Sequence, residues 1–424
     1  SYVRIMNQYT VQDTVQDTVQ DTVQDTVTVQ DTVTVQDNSQ NKISSLLKRY
    51  LNFSNLEAKP YQEEGIHWCI NREQNKDDMC KGGIIADEMG LGKTIIMIAT
   101  IICNFSMPTL IVVPVILLEQ WKAQFEKTTG HTPVIYHGYK KKQYTALDLE
   151  TSPIILTSYH TVLYDMKSNT NILPSINFNR IILDEAHHIR NTKTGIYEAI
   201  LRLNGNIKWA ITGTPVQNKI GDLYALLNFI GLNKSFYKKI DNLKDIYDSL
   251  ILRRTKKQVG ISIPSLHIEK VKTPWSNESE QKLSEVLHEC LSFSELKYRG
   301  IDKDMLLSVM LYARMTCVHP ELARKHLSKL KSMNIVSKNM DQGVNYNSKL
   351  DKVLEKIDSR IDNKNNKIIF TQFQMESDYL HEQLERRELR VAVIDGRKTK
   401  RERNHLVQES NPFDVLIIQI KTGN

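Results

Sequence analysis

Cysteine is scarce in this chain: five residues (69, 80, 103, 290 and 317) in 424, none of them in a C-x-x-C pair. An odd, scattered set supports neither a zinc site nor a disulfide framework and points to a reducing compartment. Long apolar runs are missing as well. The longest, Ile95 to Cys103, is about half of the ~20 residues a membrane span needs, so no transmembrane helix and no membrane partner are expected. No charged–apolar–small opening reads as a signal peptide. Bases are nearly absent from residues 1–40, which hold six Asp and only Arg4. The chain has 56 Lys+Arg and 49 Asp+Glu, so the remainder carries 55 against 43, a net +12. A basic globular body suits a polyanionic partner. The length allows two domains with their own cores, with a small third as the upper bound.

Residues 10–37 repeat T-V-Q-D four times and then T-V-T-V-Q-D twice. A four-residue period puts Val and Asp on the same face of a strand, so no apolar side results, and residues 1–40 read as a disordered low-complexity tail. From about residue 42 the texture changes. Short apolar runs at 82–86, 109–113, 133–137, 153–157, 180–184 and 209–213 alternate with amphipathic stretches such as Val115–Lys127 and Thr194–Leu203. Strands alternating with helices predict a parallel sheet covered on both faces, with active residues at the carboxyl ends of its strands. Residues 220–360 read as mostly helical. The alternation returns at 367–371, 391–395 and 414–420, the start of a second α/β lobe.

The stretch A-D-E-M-G-L-G-K-T (86–94) nearly fits the phosphate-loop pattern G-x-x-x-x-G-K-[ST], but Asp stands at position 87 where glycine is usual. It follows an apolar strand and opens an apolar helix, the setting in which backbone N–H groups and a helix N-terminus face an anion. Gly90 and Gly92 allow close approach to phosphate oxygens, Lys93 supplies a charge for the β/γ-phosphates, and the Thr94 hydroxyl suits Mg²⁺. Asp184-Glu185-Ala186-His187 follows another apolar strand. Asp184 is placed to hold the metal and Glu185 to take a proton from the attacking water, the expected cofactors being ATP and Mg²⁺. Thr212-Gly213-Thr214 follows a third strand and, read alone, is a turn.

Together these residues resemble the SWI/SNF-type family of DNA-dependent ATPases in helicase superfamily two. The match runs through K-P-Y-Q-E-E-G (59–65), A-D-E-M-G-L-G-K-T (86–94), D-E-A-H-H-I-R-N (184–191), I-T-G-T-P-V-Q-N (211–218), L-R-R-T-K (252–256) and C-V-H-P (317–320). It continues in S-K-L (348–350), K-I-I-F-T-Q-F (367–373) and D-G (395–396), covering roughly residues 45–424. The family writes Asp at position 87. T-G-T-P-x-Q-N behind D-E-A-H separates it from the RNA-directed helicases.

The resemblance implies tandem RecA-like lobes: lobe 1 over 41–260, a helical linker or protrusion over 261–360, and a partial lobe 2 over 361–424. It implies that Gln62 reads adenine, that Gly90, Gly92, Lys93 and Thr94 hold the phosphates, and that Asp184 and Glu185 serve Mg²⁺ and water. Thr212-Gly213-Thr214 would couple nucleotide to DNA. The expected activity is ATP-driven translocation on double-stranded DNA, with nucleosomes or a stalled polymerase as candidate substrates and the nucleus, or a viral replication site or virion, as the compartment. A strand-separating helicase and a non-catalytic nucleic-acid-binding product are the alternatives.

W-x-x-x-R-E (68–73) and its neighbours look closest to the post-replication-repair and lodestar-like branch. Some members of that branch insert a RING module. Cys290, Cys317 and His319 are too few for its zinc sites, so no zinc and no ubiquitin-ligase activity are expected. The family's glycine-rich motif begins at Lys421–Asn424 and its arginine fingers are not in the sequence. A truncated product that binds ATP and hydrolyses it slowly is therefore expected, with residues 414–420 as an exposed apolar strand edge. Lys140–Lys142 read as solvated charges, Trp68 and Cys69 as core, and Arg253, Arg254, Lys256 and Lys257 as candidates for DNA phosphates.

Overall fold

The apolar runs form strands, and their continuous hydrophobicity has a simple cause: both faces of the sheet are covered. The computed structural model describes residues 43–75, 80–168, 171–216, 219–289, 291, 303–319, 322, 326–332, 347–363, 365–406 and 412–420. The T-V-Q-D repeat, Cys290 and Lys421–Asn424 lie outside these. The chain divides into two compact units, Ser1–Pro264 and Ser265–Asn424.

In the first unit seven strands pair in parallel, in the order β3-β4-β2-β5-β6-β1-β7. They are β1 (Gly82–Ile85), β2 (Thr109–Val113), β3 (Val134–Ile135), β4 (Ile154–Ser158), β5 (Asn177–Leu183), β6 (Asn204–Ile211) and β7 (Ile251–Leu252). Alternate residues feed two separate cores. Ile84, Leu110, Val112, Ile155, Ile181 and Leu183 join one, against helices α4 (Tyr159–Lys167), α5 (Gly195–Leu201) and α6 (Ile220–Phe229). Ile85, Ile111, Val113, Leu156, Ile182 and Trp209 join the other, against α1 (Pro60–Gln74), α2 (Lys93–Cys103) and α3 (Leu118–Thr129). Cys69 is fully buried and Trp68 packs on this second core, its ring 5.6 Å from that of Trp209.

The helical reading of residues 220–360 needs two amendments. Ile251–Leu252 form β7, added to β1 at the sheet edge, and residues 261–275 have no regular structure. The β7 ladder continues past its last residue: Ala86 N–H donates to Leu252 O (2.7 Å) and Glu88 N–H to Arg254 O (2.9 Å). A two-residue strand leaves no periodicity for sequence to display.

The second unit packs helices α7 (Glu278–Glu289) and α8 (Lys303–Thr316) around Leu283, Leu287, Val309, Tyr312 and Ala313. Its parallel sheet has three strands, β8 (Lys367–Thr371), β9 (Val391–Ile394) and β10 (Val415–Gln419), in the order β8-β10-β9. The expectation of an exposed edge at 414–420 is thereby corrected. β10 is the central strand, with Val415 and Ile417 fully buried. Outward-facing apolar side chains lie on β8 instead, where Ile368 and Phe370 are 56% and 64% exposed. Strand order, which decides edges, is a non-local property. Among the described residues no helix is long and apolar enough to cross a membrane.

One charged network fixes the amino-terminal end of the first sheet. Arg180 on β5 donates through Nε and Nη2 to the two carboxylate oxygens of Glu73 at 2.7 and 2.5 Å, both residues wholly out of solvent. Glu73 also accepts from Trp209 Nε1 (2.8 Å) and Asn104 Nδ2 (2.7 Å). Every lone pair that matters is answered, which is what makes such a pair tolerable in a core. Glu73→Gln is expected to destabilise the protein by about 3–5 kcal/mol, because it strands the Arg180 charge. Replacing both residues by apolar ones should cost less than either single change. Urea midpoints of the two single variants and the double variant check this.

Candidate functional site

The segments that follow the parallel strands emerge at the carboxyl edge of the first sheet, and the strand order decides which ones are neighbours. The loop after β1 (residues 86–92) and the acids after β5 are separated by one strand, β6, whose own loop carries Thr212-Gly213-Thr214 between them.

The loop after β1 runs into α2 through Gly90 and Gly92, at φ of +89° and +80°. A side chain at Gly92 would be strained by that φ, and its Cβ would push aside the Gln62 amide, so glycine suits the position. Gln62 reaches over the loop: its Nε2 donates to Leu91 O (3.2 Å) and its Oε1 accepts from Lys59 N–H (3.0 Å). Lys93 opens α2 and turns its ammonium back into the loop, donating to Asp87 O (2.8 Å) and Glu88 O (3.4 Å). A Cβ on Gly213 would stand 3.9 Å from that ammonium. Burial pushes the Lys93 pKa down, opposed by the nearby carboxylates of Glu185, Asp87 and Asp184. Thr94 is the second residue of α2.

Asp87 answers the irregularity in the motif. Its carboxylate is fully buried and is gripped by Arg254: Oδ1 accepts from the backbone N–H (2.9 Å) and Nε (3.1 Å) of Arg254, and Oδ2 from Nη2 (2.5 Å). The same guanidinium donates to Tyr61 O and lies 5.5 Å from the Tyr61 ring centroid. Gly65 makes room, since a Cβ there would come within 2.8 Å of Arg254 Nη2. Next to it, Lys256 N–H donates to Glu88 Oε2 (2.7 Å). The segment after β7 is thus stapled to the loop. Arg254, a sequence candidate for DNA phosphates, is engaged here, because a bidentate buried carboxylate outcompetes a solvated partner.

Asp184 and Glu185 stand directly beyond β5. Asp184 N–H donates to Val112 O (2.9 Å), which extends the β2–β5 ladder to the acid. Its Oδ2 accepts from Trp121 Nε1 at 2.6 Å and its Oδ1 from Glu185 N–H at 3.0 Å, while its carbonyl accepts from Tyr159 Oη at 2.7 Å. Burial raises the Asp184 pKa, partly offset by the Trp121 hydrogen bond. Glu185 adopts a left-handed backbone, φ +49° and ψ +49°, a strained choice for a non-glycine that turns its side chain away from that of Asp184. Its Oε2 lies 3.1 Å from His187 Nδ1, an ion-pair distance without good hydrogen-bond alignment. That ring holds the Glu185 pKa below the usual glutamate range. His188 is exposed and stacks between Tyr159 (4.9 Å) and His187 (4.8 Å).

Gln62, Gly90, Gly92, Lys93 and Thr94 thus lie on one side of the β6 loop, and Asp184 and Glu185 on the other. Gln217 and Asn218 of the T-G-T-P motif fall outside the described residues. Sequence reading missed Trp121, Tyr159 and the Asp87–Arg254 pair. Each partner is a long way off along the chain, and only the Asp at a position where glycine is usual hinted at one of them. Among the described residues no three His, Cys, Asp or Glu side chains cluster as a metal site.

Asp87→Gly, which restores the usual loop pattern, is expected to destabilise the protein by about 3–5 kcal/mol by leaving Arg254 unpaired. Arg254→Ala should cost a similar amount by stranding the buried Asp87. A thermal melt of each variant and of the double variant tests the pairing, the double being less harmful than the sum.

The SNF2-related domain profile matches residues 61–322. An uncharacterized ATP-dependent helicase of Mycoplasma genitalium is 29% identical over 411 residues, 91% of this chain and 37% of that protein. DNA repair protein RAD5 of Candida albicans is 33% identical over 310 residues, 57% of this chain and 28% of that protein. A probable global transactivator of Orgyia pseudotsugata multicapsid polyhedrosis virus is 27% identical, covering 86% of this chain and 76% of its own. The chain thus spans about a third of the first two relatives' lengths. The solved SWI2/SNF2 ATPase core of Sulfolobus solfataricus in complex with dsDNA is 26% identical with a TM-score of 0.44, covering 86% of this chain and 78% of that one. The profile match takes in the loop after β1, the acids after β5 and the segment after β7, and this chain belongs to the SNF2-related family of helicase superfamily two.

Proposed function

We propose that the protein is an ATP-dependent motor that moves along the backbone of double-stranded DNA. The observation that carries this reading is the meeting of three loops on one ammonium: Lys93 lies in the loop after β1, beside Gly213, within the electrostatic reach of Asp184 and Glu185. An ammonium folded onto carbonyls of its own loop marks where phosphate oxygens would bind it, since those acceptors are the weaker ones. In this reading residues 41–260 are lobe 1, 261–360 a connection that is irregular up to residue 275 and then carries helices, and 361–424 belong to lobe 2.

The donor set suits Mg²⁺, a hard cation that takes oxygen ligands: the Asp184 carboxylate keeps a lone pair on each oxygen, and the Thr94 hydroxyl opens the adjoining helix. Bound there, the metal would neutralise charge on the β/γ-phosphates. Glu185, held ionised beside His187, is the group to take a proton from water. Gln62, spanning Lys59 and Leu91 at the loop's rim, is placed to read adenine by exchanging its Leu91 contact. Thr212, buried with its Oγ1 accepting from Thr214 N–H (3.2 Å), would tie the β6 loop to the nucleotide state.

DNA as the polyanion is supported by the net +12 outside residues 1–40 and by a DNA repair protein among the relatives. The helicase names of other relatives favour strand separation as the second reading. The compartment follows the DNA, the nucleus or a viral replication site.

Calorimetric titration with Mg²⁺–ATP should give saturable binding, abolished in Lys93→Ala. Glu185→Gln should keep the binding while DNA-stimulated turnover drops by about 10²–10⁴-fold. DNA affinity should fall steeply with salt. Absence of nucleotide binding in the unaltered protein would refute the motor reading, and efficient displacement of an annealed strand would favour the second one.

A further inference from the structure

The shortest side-chain contact of Asp184 is to a residue that no motif reading assigns. Trp121 sits in the first turn of α3, 1% exposed, and its Nε1–H donates to Asp184 Oδ2 at 2.6 Å across 63 residues of sequence. Burying a Trp requires only that its N–H find some acceptor. Here the acceptor is the acid that the nucleotide-site reading assigns to the metal.

We propose that Trp121 is a positioning residue for the metal-binding carboxylate. The inference rests on the nucleotide-site reading given above. Three features support it. First, an indole N–H is a donor only, and neutral. It fixes the rotation of the carboxylate while leaving the full negative charge for a dication, which Lys or Arg would not. Second, the bond is one of a set that pins Asp184 completely. Glu185 N–H holds the other oxygen, Tyr159 Oη the carbonyl and Val112 O the amide. Trp121 belongs to the core on one face of the sheet and Tyr159 to the core on the other. Third, the ring cannot tilt freely, because it is packed in that core with Phe125, whose centroid is 6.2 Å away. Groups that hold a metal ligand from behind, when removed, typically lower metal affinity by about 10–100-fold.

The test uses the four tryptophans (68, 121, 209 and 275), labelled with ¹⁵N at the indole. Mg²⁺ is titrated in at saturating ADP while the indole N–H resonances and, separately, the calorimetric affinity are followed. The Trp121 signal, assigned from Trp121→Phe or, if that variant does not fold, from single replacements of the other three, is expected to shift with metal occupancy. The Trp209 signal, whose N–H is bonded to Glu73 at 2.8 Å, is the internal reference and should stay still. In Trp121→Phe the Mg²⁺ concentration for half-saturation should rise about 10–100-fold, with metal-free ADP affinity unchanged. If ADP and Mg²⁺ bind yet the Trp121 signal does not move, or Trp121→Phe needs no more Mg²⁺ than the unaltered protein, the inference is overturned while the nucleotide site stands. If the unaltered protein binds no nucleotide, the site reading falls and takes the inference with it.

Discussion

The grip of Arg254 on Asp87 is the interaction on which the site depends. A carboxylate with no access to water would be intolerable alone, because its desolvation is uncompensated, and its field would oppose the phosphate proposed to bind this loop. With the guanidinium in place the pair is neutral as seen from the loop, and it does mechanical work too. It joins the loop after β1 to a segment 167 residues later in the chain. The conformation of residues 86–92 is then set by the edge strand β7 as much as by α2, and the segment leading out of the first unit is registered against the loop after β1.

The remaining site geometry follows from parallel pairing. Each strand delivers its next residues to the same edge, so neighbours in the sheet become neighbours in the site whatever their distance in sequence. β5 beside β2 brings Asp184 under Trp121, and β6 between β5 and β1 brings Gly213 to Lys93. The amino-terminal edge holds the fully satisfied Glu73–Arg180 network. The carboxyl edge has a buried pair of its own, Asp87–Arg254, beside the less well matched Glu185 and His187.

This also explains what could be read from sequence and what could not. Runs such as T-L-I-V-V and the loop ending in Gly92-Lys93-Thr94 announce themselves, because burial on both faces and close approach to phosphate each constrain consecutive residues. Asp184-Glu185 was legible for the same reason: the acids sit directly after a hydrophobic strand. Trp121 was not, since its significance lies in a partner 63 positions away. Nor was Arg254, which local charge counting offered to DNA. Lys141, taken with its neighbours as a solvated charge, lies 3.8 Å from the buried Asp165. The error over residues 414–420 has the same origin, for hydrophobicity marks a strand but not its place in the order.

That order has a consequence for how the second sheet comes into being. β8 and β9 share no ladder; each bonds only to β10, which is last of the three in sequence. During synthesis the first two strands leave the ribosome with no partner of their own, and the sheet closes when the third slides between them. Until then Ile369, Val391 and Val393, which later pack around β10, are shielded only by helices or by a chaperone. Any delay between the emergence of residues 391–394 and that of 415–419 would lengthen that vulnerable interval.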